Sequence, residues 1–336
     1  MQKLSFLTFD REGMYHGTDH TRLLPPLNYL KPFCGIYEEV EPRKADFVLA
    51  TVYTVGYNDF TEFAINNQSI KIIVGGYHPS LVPQDFFPFD NIIYIVRGGG
   101  EGVILNLLQG KKRDKVICGI SKYVQPIRDV AEHVVREDGK VASLRTYIGC
   151  YQKCSFCCCP IVYPTIVEMP FENLREEINA LKDEGYTDIF IVDSDYLVSP
   201  VFHQTIERII ELRFRLHAYA SLSNMTIRNI EILNKCQSVR LIVGLEKIQN
   251  KKYLDVLRQR LQYYHHQITG CYFIFHDQEH GKYKEIAEIL GIKQLSWMYF
   301  MPFPGTSLGT KYKVSREDYK NIHPYHNPWG VITSPF

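Results

Sequence analysis

The chain has 336 residues, 38 Lys and Arg against 37 Asp and Glu, a formal charge of +1 and 45% hydrophobic residues. That length is a prior for two domains, and the composition belongs to folded globular proteins, which excludes disordered and collagenous classes. Near-zero charge supplies no global field toward nucleic acid or an anionic membrane.

The N-terminus reaches Asp10 too soon for a secretory apolar core, and no uninterrupted apolar run approaches the ~18 residues of a membrane span. A cytoplasmic protein with no membrane span is expected. Residues 4–9, 47–55, 70–74 and 92–96 are short runs rich in β-branched and aromatic residues, each bounded by Gly, Pro, Asn or Asp, and they predict strands. Helices are expected near 23–30, 60–67 and 102–109. Such alternation implies right-handed crossovers and a parallel sheet, so the first unit reads as an open Rossmann-like domain. Its ligand crevice would lie at the carboxyl ends of the strands: from Asp10 onward, at Val55-Gly56-Tyr57, at Gly75-Gly76-Tyr77-His78 and at Arg97-Gly98-Gly99-Gly100-Glu101.

A polar stretch over 125–140 follows, and a domain boundary is placed near residue 135. Beyond it, strands are predicted at 144–148, 188–193, 216–221, 239–243, 271–275 and 297–301, with helices at 171–184, 202–212, 227–235, 251–264 and 283–290. These β/α units are too few for a closed eight-fold barrel of ~250 residues. The fold class is therefore α/β: a Rossmann-like domain over 1–135 followed by a partial (β/α)6 TIM-type barrel over 136–310. A tail rich in aromatics and Pro, 311–336, is expected to pack across a barrel face or stay loose.

Nine cysteines are present, four of them crowded into 154–159. In a cytosolic chain clustered thiols are more often metal ligands or redox groups than disulfides. Cys150, Cys154 and Cys157 follow the first predicted barrel strand, at the face where barrel active sites lie. Their spacing lets one loop wrap the corner of an iron–sulfur cubane, which wants thiolate ligands, and three ligands leave one iron open. Zinc would want a second ligand pair downstream, and none follows. A thioredoxin-like dithiol would leave Cys150 unexplained. An adventitious cysteine-rich loop or an isolated zinc loop is the bland alternative. Cys158 and Cys159 read as small apolar fillers, with an additional ligand as the alternative.

The run Cys150-x-x-x-Cys154-x-Phe156-Cys157 resembles the signature of the radical S-adenosylmethionine (radical SAM) enzymes. The resemblance implies a 4Fe-4S cluster on the three thiolates and S-adenosylmethionine (SAM) chelated at the fourth iron. Reductive cleavage then yields methionine and a 5′-deoxyadenosyl radical, the cofactors carrying the hard chemistry. Phe156 would line the adenine pocket. Val192-Asp193-Ser194-Asp195 stands where the family places a Gly-Gly-Glu triplet against the methionine moiety; the triplet is missing, and an Asp-rich version resembles the cobalamin-associated branch. Asp193 and Asp195 would bind the ammonium group or cap the next helix. Val243-Gly244-Leu245-Glu246 resembles the family's Gly-Ile-Glu-Ser element, in which Glu246 would touch the cofactor or serve as a structural carboxylate. Met301-Pro302-Phe303-Pro304-Gly305-Thr306 is similar to its Pro-x-Pro-Gly-Thr segment. The likeness covers about residues 143–310.

Residues 4–110 resemble the cobalamin-binding domain that precedes the barrel in one large branch of that family. Gly75, Gly76, Gly98 and Gly99 would let the backbone approach a flat corrin or its nucleotide tail. The Asp-x-His-x-x-Gly element is absent, Asp10, His16 and Gly17 being wrongly spaced, and Gly99 stands where Glu is usual. A vestigial Rossmann domain used for packing or substrate binding is the competing reading. His78 reads as a loop-shaping residue, and His265, His266, His276, His280 and His323 lack metal spacing.

The resemblance implies a cobalamin-dependent methyltransferase acting on a weakly activated carbon. The alternatives are radical cyclisation, rearrangement, epimerisation or C–S chemistry, or a non-catalytic iron–sulfur or zinc protein. Expected partners are a small-molecule, peptide or carrier-bound substrate and an external one-electron reductant such as flavodoxin or ferredoxin. Nucleic acid is not expected, since no basic stripe interleaves with the aromatics.

Overall fold

A computed structural model describes residues 1–9, 27–122, 140–246, 248, 250–274, 279–300 and 302–321. Asp10, His16, Gly17, the first part of the 23–30 helix, the linker over 125–139 with its boundary at 135, His276, Met301, His323 and the tail past 321 lie outside the described residues.

The first unit is one parallel sheet. Its strands are β1 (Gln2–Phe9), β2 (Tyr37–Glu39), β3 (Phe47–Val52), β4 (Ile72–Gly75), β5 (Ile92–Arg97) and β6 (Val116–Cys118), in spatial order β2-β1-β3-β4-β5-β6. β3 is buried along nearly its whole length, which is why it reads as a continuous apolar run and not as an alternation. The two edge strands escape the sequence pattern because three residues cannot show a period. Short helices α1 (Leu27–Leu30), α2 (Tyr57–Asn66), α3 (Tyr77–Leu81) and α4 (Ile104–Leu108) cover the faces. One face packs Val48, Val52, Phe60, Phe86 and Ile95, the other Leu4, Leu49, Ile73, Val96 and Leu107.

The second unit begins with β7 (Val141–Leu144), followed by β8 (Tyr147–Ile148), α5 (Cys159–Val162), β9 (Val167–Glu168), α6 (Phe171–Asp183), β10 (Asp188–Ile191), α7 (Phe202–Glu211) and β11 (Arg215–Ser221). It continues through α8 (Ile227–Leu233), β12 (Ser238–Gly244), α9 (Lys251–Leu261), β13 (Gln267–Ile274), α10 (His280–Leu290), β14 (Gln294–Tyr299) and α11 (Ser307–Lys311). The order β14-β13-β12-β11-β10-β7, parallel at every pairing, is an open partial barrel of six strands. Helices α6 to α10 bury one stripe each against the sheet, as Leu174, Ile178 and Leu181 do on α6.

The strand predicted at 144–148 is corrected. The barrel strand ends at Leu144, in register with Ile191, and Tyr147–Ile148 turns away to pair antiparallel with Val167–Glu168. Of the tail, residues 311–321 are described, and Tyr312 meets Phe300 beyond β14 at 6.3 Å. After α11, which spans residues on both sides of 310/311, the chain crosses to the first unit, where Arg316 Nε donates to Asp85 Oδ1 at 2.7 Å and Tyr319 Oη to Asp85 Oδ2 at 3.0 Å. Tyr319 is buried in the first unit's core, so that core gains an aromatic ring from the far end of the sequence. Among the described residues no helix is long and apolar enough to cross a membrane.

Candidate functional site

β8 leads through Gly149, at φ +105°, into the loop carrying Cys150, Cys154 and Cys157, all half-buried and none in a disulfide. The loop sits at the carboxyl end of the barrel strands, where such folds place their chemistry. Backbone donors face two of the three sulfurs: Gln152 N–H donates to Cys150 Sγ and Cys159 N–H to Cys157 Sγ, each at 3.4 Å. The Cys150 thiol is held below its ordinary value, chiefly by the Cys159 thiol beside it, helped by Gln152 N–H and Ser194 and opposed by burial. Three thiols on one loop, backed by N–H donors that stabilise thiolate charge, form a donor set that fits an iron–sulfur cluster. Among the described residues no three His, Cys, Asp or Glu side chains converge on one point as a mononuclear ion requires; a cubane, which binds its thiolates at separate corners, asks for no such convergence.

The far side of the loop reaches across the barrel mouth. Leu308 N–H, at the start of α11, donates to Ser155 O at 3.2 Å, and the Phe156 ring meets Phe273 edge-on at 5.5 Å and Phe300 at 6.4 Å. Phe156 thus stands at the ends of β13 and β14, opposite the strand from which the loop departs.

Asp193 is 1% exposed. It accepts Thr146 N–H at 2.8 Å and Tyr147 N–H at 3.3 Å on Oδ1, and the Thr146 hydroxyl on Oδ2. Burial pushes its carboxyl up to about 7 against those hydrogen bonds. The Asp193 carboxyl thus fastens the β7–β8 turn. Asp195 caps the short turn that follows it: its Oδ1 accepts Leu197 N–H at 3.3 Å, and its Oδ2 accepts Asn224 Nδ2 at 2.7 Å and Gln152 Nε2 at 3.2 Å. Burial raises the Asp195 carboxyl, opposed by Asn224 and backbone donors. Ser194 Oγ donates to Gly149 O at 2.9 Å. All three residues of this strand end thus brace the cysteine loop. Glu246 follows β12 half-buried, its carboxylate folded back over Gly244, whose Cβ, if present, would lie 2.6 Å from Oε2.

The four glycines singled out in the first unit line one cleft with a cavity volume of about 100 Å³, with walls from Leu27, Leu49, Ile73, Val96 and Ile104. Gly76 adopts φ +94°, and a Cβ there would collide with Thr51 Oγ1. Gly98, at φ +87°, would bring a Cβ to 3.0 Å from Val162 O. That carbonyl belongs to α5, so the glycine edge of the first unit meets the helix that leaves the cysteine loop. Leu81, Val82 and Val162, with Cys158, Ile161 and Tyr163, form the apolar joint between the two units. Tyr163, one helical turn beyond Cys159, lines the cleft.

Cys158 packs in that joint, and burial pushes its thiol up to about 12. Cys159 differs. Its thiol hydrogen-bonds Cys150 and lies 3.6 Å from Ser194 Oγ, against the expected ligand set. His78 is fully buried, with Nδ1 3.2 Å from Thr54 Oγ1 and Nε2 3.2 Å from Asp85 Oδ2, a core residue beside the loop it follows. Tyr163 escaped the sequence reading, although its helical spacing from Cys159 is a usable signal. Thr146 and Asn224 carried none.

Residues 144–271 match the family model of the radical SAM superfamily. Among solved structures, the chain is similar to the radical S-adenosylmethionine methyltransferase TsrM from Kitasatospora setae. With cobalamin and a 4Fe-4S cluster bound, that protein gives a TM-score of 0.67 at 14% identity over 92% of this chain and 77% of the other. With tryptophan substrate and the SAM analogue aza-SAM bound, the TM-score is 0.66 at 15% identity over 93% and 76%. No curated protein matches. The likeness spans both units, so the pairing of a Rossmann-like unit with a partial barrel is a shared fold.

Proposed function

We propose, for a chain that carries a radical SAM domain behind a Rossmann-like unit, a cobalamin-dependent methyltransferase acting on a weakly activated carbon. The observation that carries this reading is the joint: the loop bearing Cys150, Cys154 and Cys157 runs directly into α5, which packs against α3 and brings Tyr163 to the glycine-edged cleft. One helical turn thus connects the place for a cluster with the place for a flat macrocycle.

When bound, the cluster supplies the electron that cleaves SAM to methionine and a 5′-deoxyadenosyl radical, and the corrinoid supplies the methyl group. Cys150, Cys154 and Cys157 would hold the iron. Phe156 and Glu246 would hold SAM, the ring against adenine and the carboxylate against the polar end. Asp193 and Asp195 hold the loop. Gly75, Gly76, Gly98 and Gly99 leave the cleft's edge free of side chains, and the apolar joint excludes water between the two places. The domain limits 1–135, 136–310 and 311–336 are kept as the proposal, with the last segment's first residues serving the first unit. A flavodoxin- or ferredoxin-type reductant and a small-molecule, peptide or carrier-bound substrate complete the reaction.

The test is an anaerobic incubation of the reconstituted protein with SAM, cobalamin and a one-electron reductant. S-adenosylhomocysteine appearing together with 5′-deoxyadenosine supports methyl transfer. 5′-Deoxyadenosine alone removes methylation and leaves other radical chemistry; neither product removes both.

A further inference from the structure

We propose that Glu101 is the residue that reads the ligand of the first unit's cleft, its carboxyl group hydrogen-bonding a neutral amide or hydroxyl of the bound molecule and refusing an anionic group at that point. The inference rests on the corrinoid reading of the cleft.

Leu27, Leu49, Ile73, Val96 and Ile104 make the walls mostly aliphatic, with Thr51 and Tyr163 the polar side chains beside Glu101. Glu101 lines the same space, and its Oε2 is buried with no hydrogen-bond partner among the described residues. A buried carboxyl oxygen without a partner is destabilising, and native structures keep few of them without a reason. Glycine at 99 leaves room beside it: a Cβ there would lie 2.5 Å from Oε2 and nearer still to Ser121 Oγ. Burial raises the carboxyl, opposed by its own backbone N–H and by the charge of Arg145 on the β7–β8 connection. A group held this way suits a neutral partner. A corrinoid offers primary amides around its ring and a phosphate in its tail, and of these the amide matches an acid in an apolar slot, whereas the phosphate would be repelled.

The experiment uses the full-length protein and reads binding, with no turnover. Retention of hydroxocobalamin is measured by corrin absorbance after ultrafiltration for wild type, Glu101→Gln and Glu101→Leu, alongside thermal melts of the ligand-free proteins. Wild type should bind, Glu101→Gln should stay within about threefold because an amide still hydrogen-bonds, and Glu101→Leu should lose about tenfold or more. Ligand-free Glu101→Leu should melt at or above the wild-type temperature, since an unpartnered acid has been removed from an apolar wall; a purely structural role would lower both affinity and melting temperature. Wild type binding with Glu101→Leu equally tight, or Glu101→Gln as weak as Glu101→Leu, overturns the assignment while leaving the corrinoid reading intact. No corrinoid binding by wild type overturns both.

Discussion

Asp193, beyond the end of β10, accepts the backbone N–H of Thr146 at 2.8 Å across 47 residues of sequence. That bond, with a second from Tyr147, turns the chain out of the barrel and aims it at Cys150. Removing the carboxylate in Asp193→Ala leaves buried donors unpaired and should cost about 3 kcal/mol, with loss of bound iron even though no ligand has changed. Urea denaturation and iron analysis of the same preparation check both outcomes.

The same carboxyl makes a pH prediction. Its folded value lies near 7, above an unfolded value of about 3.9. The unfolded chain therefore gives up the proton first as pH rises. The stability this group contributes is complete below about pH 4 and is lost as pH climbs to about 7. Asp193→Asn, which cannot titrate, should flatten that part of the stability curve. An unchanged slope would mean that the group does not titrate in this window.

Asp85 is the anchor for the other end of the chain, joining His78, Arg316 and Tyr319. Burial alone would raise its carboxyl, but hydrogen bonds from those three partners hold it below the usual range. Its contribution is thus present above the unfolded value and lost as pH falls through the folded one. Asp85→Ala should destabilise by about 3 to 5 kcal/mol because it strands buried partners, and limited proteolysis should then cut between residues 311 and 321. Arg316→Ala, whose side chain is half exposed, should cost less and produce the same cut.

Single substitutions Cys150→Ala, Cys154→Ala and Cys157→Ala should each abolish the broad iron–sulfur absorbance, whereas Cys158→Ala should retain it. Iron retained in any of the first three, or lost in the fourth, would reassign the ligands. Cys159→Ser keeps a hydrogen-bonding group beside Cys150 and should retain the cluster.

Gly76→Ala should destabilise the first unit by about 1 to 3 kcal/mol, through positive φ and the clash with Thr51, and should weaken corrinoid binding. A melting temperature equal to wild type would show that the loop can relax.

Both sheets were legible because their central strands, such as β3, are apolar on both faces and flanked by turn residues. The proposed cluster ligands could be named from the sequence because one loop carries them all. The place where β7 ends was not, since residues 141–148 contain no glycine or proline to mark a turn and the break is set by Asp193. Nor was the clamp, whose partners Asp85 and Arg316 lie 231 residues apart. Asp193 and Asp195 carry the residue types of ligand contacts, and only the hydrogen bonds from Thr146, Tyr147, Leu197 and Asn224 reveal that the backbone and neighbouring side chains engage them. Glu101 stood in a quoted glycine run, but an unpartnered oxygen is a property of three-dimensional packing.

The most direct measurement is metal and corrin content of the chain purified anaerobically, reconstituted with iron and sulfide, and passed through a desalting column after exposure to cobalamin. The proposed function requires about four irons and about one cobalt per chain, with cluster and corrin absorbance in the same fraction. Zinc in place of iron, or iron with cobalt absent at saturating cobalamin, would contradict it.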